Sequence, residues 1–416
     1  MRLEKRYIDV TKVVFDDKTF VENGVLHVSK KELEDVAMDY RFKSVDFELA
    51  HPGESCRLTH VCDCVQPMYK LDDNSSTFPG VVDEVKRVGI GTTVVLRGVS
   101  ITEILLIPMG GLLLDMSSPG REMSELLSNQ IHICLLAEPA DGVQNNEYFN
   151  AVSVASKKIA KYVAQCAKDC VPDEVQIFEL KKDNLENLPR VAYISQIFSH
   201  AYMNDATFYG DNCASMLPTI VHPNEILDGA LLFRDYHSTA NSAPSFVIQN
   251  HPVILELMAR HGKDLNFVGV ILSNTPAEIV NKNRNAMMNA SLAKYHLNAD
   301  GVIVSKQGGG HPQIDTGLTC DYCEELGVKT VLMLTEFLSA NTSIEELVLF
   351  NTPNANAMVS NGCLCEIKLP KVDRLIGLNK SFRIKGDLKG PLTASINVIR
   401  ESISQLGNTN LTTVVY

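Results

Sequence analysis

The chain has 416 residues, 45% apolar and 21% charged, and its 38 lysines and arginines against 50 aspartates and glutamates give a formal charge of −12. An acidic surface repels a phosphate backbone, which argues against nucleic acid as a partner, and this length points to two domains rather than one core. The start (Met1, Arg2, Leu3, Glu4, Lys5, Arg6) lacks the apolar stretch of a signal peptide, and the longest apolar run, 104–114, is too short for a membrane span and holds Pro108, Gly110 and Gly111.

The expected location is therefore the cytoplasm, with no membrane span. Eleven cysteines, an odd number, are scattered along the chain and read as reduced thiols rather than a disulfide framework. Three close pairs stand out, Cys62/Cys64, Cys320/Cys323 and Cys363/Cys365, but they lie too far apart in sequence to suggest the four ligands of a zinc site, and no metal is expected.

Residues 1–150 read as a mostly-β domain: 44–50 alternates in and out, and 93–97 and 131–136 look similar, with Gly and Pro between them. Small and apolar residues at helical spacing predict a long helix over 146–167, and 151–187 reads as a helical connector. From 188 to 416 the pattern changes. The short apolar runs 190–196, 266–272, 301–305 and 329–334 each resemble a strand buried on both faces, and helical patterns cover 276–297 and 316–326. This alternation predicts an α/β, Rossmann-like domain with a doubly wound parallel sheet. Such sheets bind ligands beyond the carboxyl ends of their strands. Here those ends carry Ser273, Asn274 and Thr275, then 305–311, then Thr335 and Glu336. Asn361 is a further candidate for the cleft.

Four motifs stand out within this frame. Gly308, Gly309, Gly310, His311 and Pro312 follow a predicted strand and would let backbone approach an anion, although the spacing fits neither the P-loop nor the dinucleotide fingerprint. His222, Glu225 and Asp228 share one short stretch, of types suited to metal binding or proton transfer, or to a turn with helix-capping carboxylates. His251 and His261 flank an apolar helical run and read as structural or surface residues. Asn212-Cys213 is a dipeptide capable of an N-to-S acyl shift, in which the thiol attacks the preceding carbonyl and elimination leaves a pyruvoyl group.

Blocks along nearly the whole chain resemble the α/β proprotein subunit of glycine/sarcosine/betaine reductase component B. They include 78–82 (Phe-Pro-Gly-Val-Val), 115–120 (Asp-Met-Ser-Ser-Pro-Gly), 218–230 (Pro-Thr-Ile-Val-His-Pro-Asn-Glu-Ile-Leu-Asp-Gly-Ala) and 250–254 (Asn-His-Pro-Val-Ile), which leads into 260–271 (Arg-His-Gly-Lys-Asp-Leu-Asn-Phe-Val-Gly-Val-Ile). The resemblance implies an amino-acid reductase complex that breaks a C–N bond. In it the precursor cleaves itself before a cysteine, whose pyruvoyl carbonyl condenses with the substrate amine. A selenocysteine on a partner component B subunit then attacks the α-carbon. The carboxymethyl group passes to a carrier selenoprotein and an acyl-phosphate-forming component. The chain is expected to work as part of an oligomer.

The family's Asn-Cys lies between the 218–230 and 250–254 blocks, and laying this chain over that interval without gaps puts Asp235-Tyr236 there. No cysteine occurs between Cys213 and Cys320. The expectation is an uncleaved chain with no pyruvoyl group and no cofactor of its own. A substrate with a quaternary nitrogen suits that loss, since it has no N–H to condense and already carries a neutral leaving group. Betaine is the expected substrate. Its trimethylammonium calls for aromatic faces, and with no tryptophan in the chain the candidates are Tyr236, Tyr209, Phe233 and Phe246. Arg234 is a candidate for the carboxylate, and His222, Glu225, Asp228 and His311 complete the candidate binding residues. Two alternatives stand beside this reading: a non-catalytic structural partner of the selenoprotein complex, and a sarcosine or glycine reductase subunit processed at Cys213.

Overall fold

The computed structural model describes residues 1–107, 112–183, 185–199, 204–235, 243–308, 310–336, 354–363, 365–408 and 412–415, with only the backbone described at 204–205, 234–235, 336, 361–363 and 412–415. The chain is mixed α/β, with several sheets of mixed direction.

The three N-terminal runs that alternate in the sequence fall in strands Phe42–Ala50, Gly91–Arg97 and Ile131–Pro139. Phe42–Ala50 pairs with Ile131–Pro139 at the edge of a six-stranded sheet that also contains Val99–Leu105, Cys56–Val65 and Leu112–Asp115. Gly91–Arg97 belongs to a second sheet of four strands, beside Arg2–Asp9. The helix Asn145–Gln165 lies over this body. Phe149, Val152, Ile159 and Val163 recur at helical spacing and are buried in the N-terminal core. Each such side chain contributes about 1.5–3 kcal/mol through burial. Its start is capped by Glu147, which accepts the Gln144 N–H at 3.2 Å.

The stretch read as a helical connector is only helical as far as Gln165. Its later part forms strand Glu174–Glu179, which pairs antiparallel with Arg2–Asp9, Leu3 opposite Phe178. The charged look of this segment is that of an edge strand: Phe178 faces the core while Val175 and Ile177 stay exposed.

The C-terminal half is built on a seven-stranded sheet in the order Thr219–Val221, Asn266–Asn274, Arg190–Ile197, Gly301–Lys306, Lys329–Glu336, Ala357–Cys363, Thr412–Val415. The five inner strands run parallel, and both edge strands are antiparallel. Helices Ile279–Ser291 and Pro312–Glu325 pack against one another. Ala290, Cys320 and Cys323 from them share a buried cluster with Ile194, Val304 and Leu332 of the sheet. Ile254 and Leu257 of helix Pro252–Arg260 join Tyr193, Val270 and Leu272 in another. Alternate strand residues thus enter two different cores, which explains the unbroken apolar runs.

Not all of the C-terminal half stays with this sheet. Strand Arg374–Gly377 pairs parallel with Cys56–Val65, Ile376 opposite Leu58. Leu113 of the N-terminal sheet joins Ile367, Leu369, Ile396 and Ile399 in one buried cluster. Gly377 is required at this junction. Its φ is +100°, and a Cβ there would lie 1.6 Å from the Thr59 carbonyl oxygen. No described helix is long and apolar enough to cross a membrane.

Candidate functional site

From Arg190–Ile197 the chain crosses to Asn266–Asn274 on one side; from Gly301–Lys306 it crosses to Lys329–Glu336 on the other. The carboxyl ends of these two central strands therefore bound a topological switch point, where open parallel sheets offer a crevice. The glycine loop lies there. Gly308 and Gly310 are left-handed (both φ +75°), and a Cβ on Gly308 would sit 3.0 Å from the Phe198 ring. Behind the loop, His311 opens helix Pro312–Glu325 and its ring lies 5.7 Å from that of Phe198.

Two lysines meet this loop. Lys282 reaches His311 Nδ1 at 2.9 Å and its carbonyl at 3.2 Å, and also forms a salt bridge with Asp315. Burial raises the Asp315 carboxyl to about 6 even against the pull of Lys282. Lys306 Nζ donates to the Gly308 carbonyl at 2.8 Å and to Gln405 Oε1 at 3.3 Å, and burial lowers its ammonium to about 7. Gln405 Nε2 donates to the same carbonyl at 3.0 Å, so the C-terminal segment sits against the crevice. Asn274 closes the far side, accepting the Ser199 N–H at 3.1 Å and donating to Ala214 O at 2.7 Å.

The predicted site residues divide into groups. His222 and Glu225 form a capping box on helix Pro223–Leu227: Glu225 Oε2 accepts the His222 N–H at 2.8 Å, and His222 Nδ1 accepts the Asn224 N–H at 3.2 Å. Tyr209 donates to Glu225 Oε1 at 2.8 Å. Asp228 forms a buried ion pair with Lys70 at 2.6 Å and accepts from Thr93 Oγ1 at 2.6 Å and the Gly89 N–H at 2.7 Å. These contacts are those of a capped turn held to the N-terminal body. His311 stands apart from them, at the glycine loop. Phe233 and Phe246 are buried, Phe246 among Cys56, Leu58, Cys64 and Ile104. Tyr236 lies outside the described residues. Arg234, Glu336 and Asn361 are described in backbone only, each within a strand. His251 Nε2 meets Tyr193 Oη at 3.1 Å, and His261 Nδ1 accepts the Phe267 N–H at 3.1 Å.

Cys213 is buried in a short 3-10 turn, with its thiol directed to the Asp211 carbonyl at 4.0 Å. Asn212 Oδ1 accepts the Ala214 N–H at 2.7 Å and the Ser199 hydroxyl at 3.3 Å. Burial pushes Cys320 up to about 11 and Cys323 up to about 12, as expected of inert thiols. Among the described residues, no group of three or more His, Cys, Asp or Glu is placed to hold a metal ion.

Sequence reasoning missed a second group, buried under helix Asn145–Gln165. Lys157 Nζ lies between Asp63 Oδ2 at 2.7 Å and Glu103 Oε1 at 2.8 Å, and all three side chains are inaccessible to solvent. Ser156 Oγ adds a bond to Glu103 Oε1 at 2.6 Å, and Lys157 also reaches Ser153 Oγ at 3.1 Å. Burial raises the Glu103 carboxyl, with Lys157 opposing and Asp63 adding to the rise. Burial acts against the Lys157 ammonium, yet Asp63 and Glu103 hold it above its ordinary value. The trio sets two carboxyl groups against one ammonium, with the Glu103 carboxyl raised by burial. Two signals were available: single acids inside apolar strand sequence, at Asp63 and Glu103, and a lysine on the apolar face of a helix.

An apolar groove of about 500 Å³ opens at the other end of the central sheet, near the strand starts, lined by Val191, Leu257, Ile303, Val331, Met333 and Leu406.

Residues 1–413 match the family model of glycine/sarcosine/betaine reductase component B subunits. The chain is 34% identical to the glycine reductase complex component B subunits alpha and beta of Acetoanaerobium sticklandii, over all of both chains. It is 36% identical to the sarcosine reductase complex component B subunit alpha of Peptoclostridium acidaminophilum, over 91% of this chain and 90% of that one. It is 33% identical to the betaine reductase complex component B subunit alpha of the same organism, over 91% and 88%. No solved structure matches.

Proposed function

The chain belongs to the family of glycine/sarcosine/betaine reductase component B subunits, and from that premise we propose that it holds an N-methylated amino acid, betaine first, for reductive C–N cleavage without a pyruvoyl group of its own. The observation that carries this is Asp235-Tyr236 in the interval where the resemblance places Asn-Cys, with no cysteine from there to Cys320. In this reading a selenolate on a partner subunit attacks the α-carbon. The C–N bond breaks with its electron pair going to nitrogen, and trimethylamine leaves neutral, so no carbonyl is needed. Tyr236 offers its ring face to the ammonium, worth about 0.5–2 kcal/mol, and Arg234 takes the carboxylate. The chain acts inside a multi-subunit complex with the selenoprotein partners that the resemblance implies.

The geometry at Cys213 supports an uncut chain. The thiol faces the Asp211 carbonyl and the Asn212 side chain is engaged as a turn cap, neither being the arrangement for attack on the Asn212 carbonyl. A scaffold reading has its own support, because Phe233 and Phe246 are buried rather than lining a cleft. Two measurements decide. Intact mass of the protein co-produced with its partner is expected to show one unbroken chain; two fragments would end the proposal. Titration calorimetry is expected to show betaine heat that Tyr236→Ala weakens about tenfold, or about 1.4 kcal/mol, within the range of a cation–ring contact. A folded complex with no betaine heat favours the scaffold.

A further inference from the structure

Three buried polar side chains at the carboxyl ends of the central strands make no hydrogen bond to a described residue. Gln307 and Gln313 flank the glycine loop, one just before Gly308 and the other in the first turn of helix Pro312–Glu325, and each is 3% exposed. Oε1 of both is buried without a partner among the described residues, and so is the hydroxyl of Thr335. Thr335 lies one strand over. Ser305 stands opposite Met333 in the parallel register, and Gln307 and Thr335 are each two residues further on. The Gln307 N–H still donates to the Gln196 carbonyl at 2.9 Å, so the ladder continues to this position. Side chains two apart in extended chain share a face, so Gln307 and Thr335 leave the same face of the sheet at neighbouring strand ends.

Burying a carboxamide without a partner is costly, and packing alone gives no reason for one where leucine has a similar size. Neighbouring carboxamides are satisfied. Gln196 donates to the Asp315 carbonyl at 3.1 Å and to Thr319 Oγ1 at 2.9 Å, and accepts from Thr316 Oγ1 at 2.8 Å. Gln405 donates to the Gly308 carbonyl at 3.0 Å. The helix start is closed on itself: Pro312 has no N–H, the Gln313 N–H goes to the Gly310 carbonyl at 3.0 Å, and the Ile314 N–H goes to the His311 carbonyl at 3.1 Å. The donors that Gln307, Gln313 and Thr335 offer are therefore side-chain donors, two carboxamide NH2 groups and a hydroxyl. Lys282 and Lys306 bring two ammonium groups to the loop against one carboxyl, Asp315, so the local field favours an anion.

We propose that Gln307, Gln313 and Thr335 bind a carboxylate at the glycine loop, the carboxylate of the amino-acid substrate. Their N–H and O–H groups end on its two oxygens, which together offer about four acceptor sites, enough for Arg234 as well. This rests on the reading that the ligand is an amino acid.

Gln307→Leu, Gln313→Leu and Thr335→Val are made separately in the full chain, co-produced with its partner, and titrated in a calorimeter with betaine and with choline. Choline carries the same trimethylammonium and has a hydroxyl in place of the carboxylate. Each glutamine variant is expected to raise the Kd for betaine about tenfold, the worth of one hydrogen bond to a charged acceptor, and Thr335→Val is expected to act in the same direction. Choline is expected to behave alike in parent and variants. The Tm without ligand is expected to hold or rise, because an unpartnered polar group gives way to an apolar one of similar size. An unchanged betaine Kd in the folded variants overturns the proposal and leaves ordered water as the occupant. Equal losses for betaine and choline overturn it too, since these side chains would then shape the loop without holding the carboxylate. A parent that gives heat with glycine or sarcosine and none with betaine, the heat weakened by the same variants, upholds the carboxylate site and overturns the betaine reading. No heat with any of the three amino acids overturns both.

Discussion

Burial raises the Glu103 carboxyl above its ordinary value, beside a lysine that also pairs with Asp63. Its second oxygen, Oε2, is buried with no hydrogen-bond partner among the described residues. The consequence for stability has a definite sign. The folded pKa lies above the unfolded one, so in the interval between them the folded chain binds the extra proton. Stability therefore falls as pH rises through that interval. Glu103→Gln keeps the shape and removes the titration. Denaturant unfolding from pH 4.5 upward is expected to show a flatter decline for the variant than for the parent; parallel curves would mean that Glu103 is ionised in the fold. The sequence made part of this group legible, since an acid inside an apolar strand needs a partner. It could not say that the partner was Lys157, because the three residues come from two strands and a helix and meet only through packing. The capped turn at His222 and Glu225 was more legible. Its residues are local, and the structural alternative weighed for them is the arrangement found.

At the scale of elements, the parallel strands and their helices follow the sequence periodicity closely. The pattern over 276–297 becomes helix Ile279–Ser291 continued by one π turn, Leu292–His296, and that over 316–326 begins earlier, at Pro312. Proline is well placed in a first turn, where its missing N–H costs nothing. Short strands that pair far away in sequence left no such trace. Arg374–Gly377 has four residues and no periodicity to detect, and its place against Cys56–Val65 depends on one glycine. Gly377→Ala is expected to destabilise by about 2–4 kcal/mol, because the new Cβ would strike the Thr59 carbonyl and the backbone must shift. Thermal unfolding reads this as a Tm lower by roughly 5 °C or more. An unchanged Tm would mean that this strand contributes little to the sheet.

Across the whole molecule, several histidines are held unprotonated. Burial lowers His132 to about 4 and His251 to about 3, one in the N-terminal sheet and the other beside Tyr193 of the central sheet. The unfolded chain takes up these protons near pH 6.5 and the folded one does not. Stability is therefore lost as pH falls from about 6.5 towards 4, by on the order of 3 kcal/mol for each fully buried ring. His132→Gln and His251→Gln variants that fold are expected to lose less stability than the parent between pH 6.5 and 4.5; equal losses would place the acid sensitivity elsewhere.

The return of Arg374–Gly377 to the N-terminal sheet also governs the order in which the protein can be completed. Cys56–Val65 leaves the ribosome more than three hundred residues before its parallel neighbour, and Arg57 waits as long for the carbonyls of Leu388 and Gly390. The first-made half cannot finish folding before that segment has emerged. It must stay open, with apolar strand surface uncovered, until residues 374–390 have been made, and that interval is when a nascent chain is most prone to aggregate.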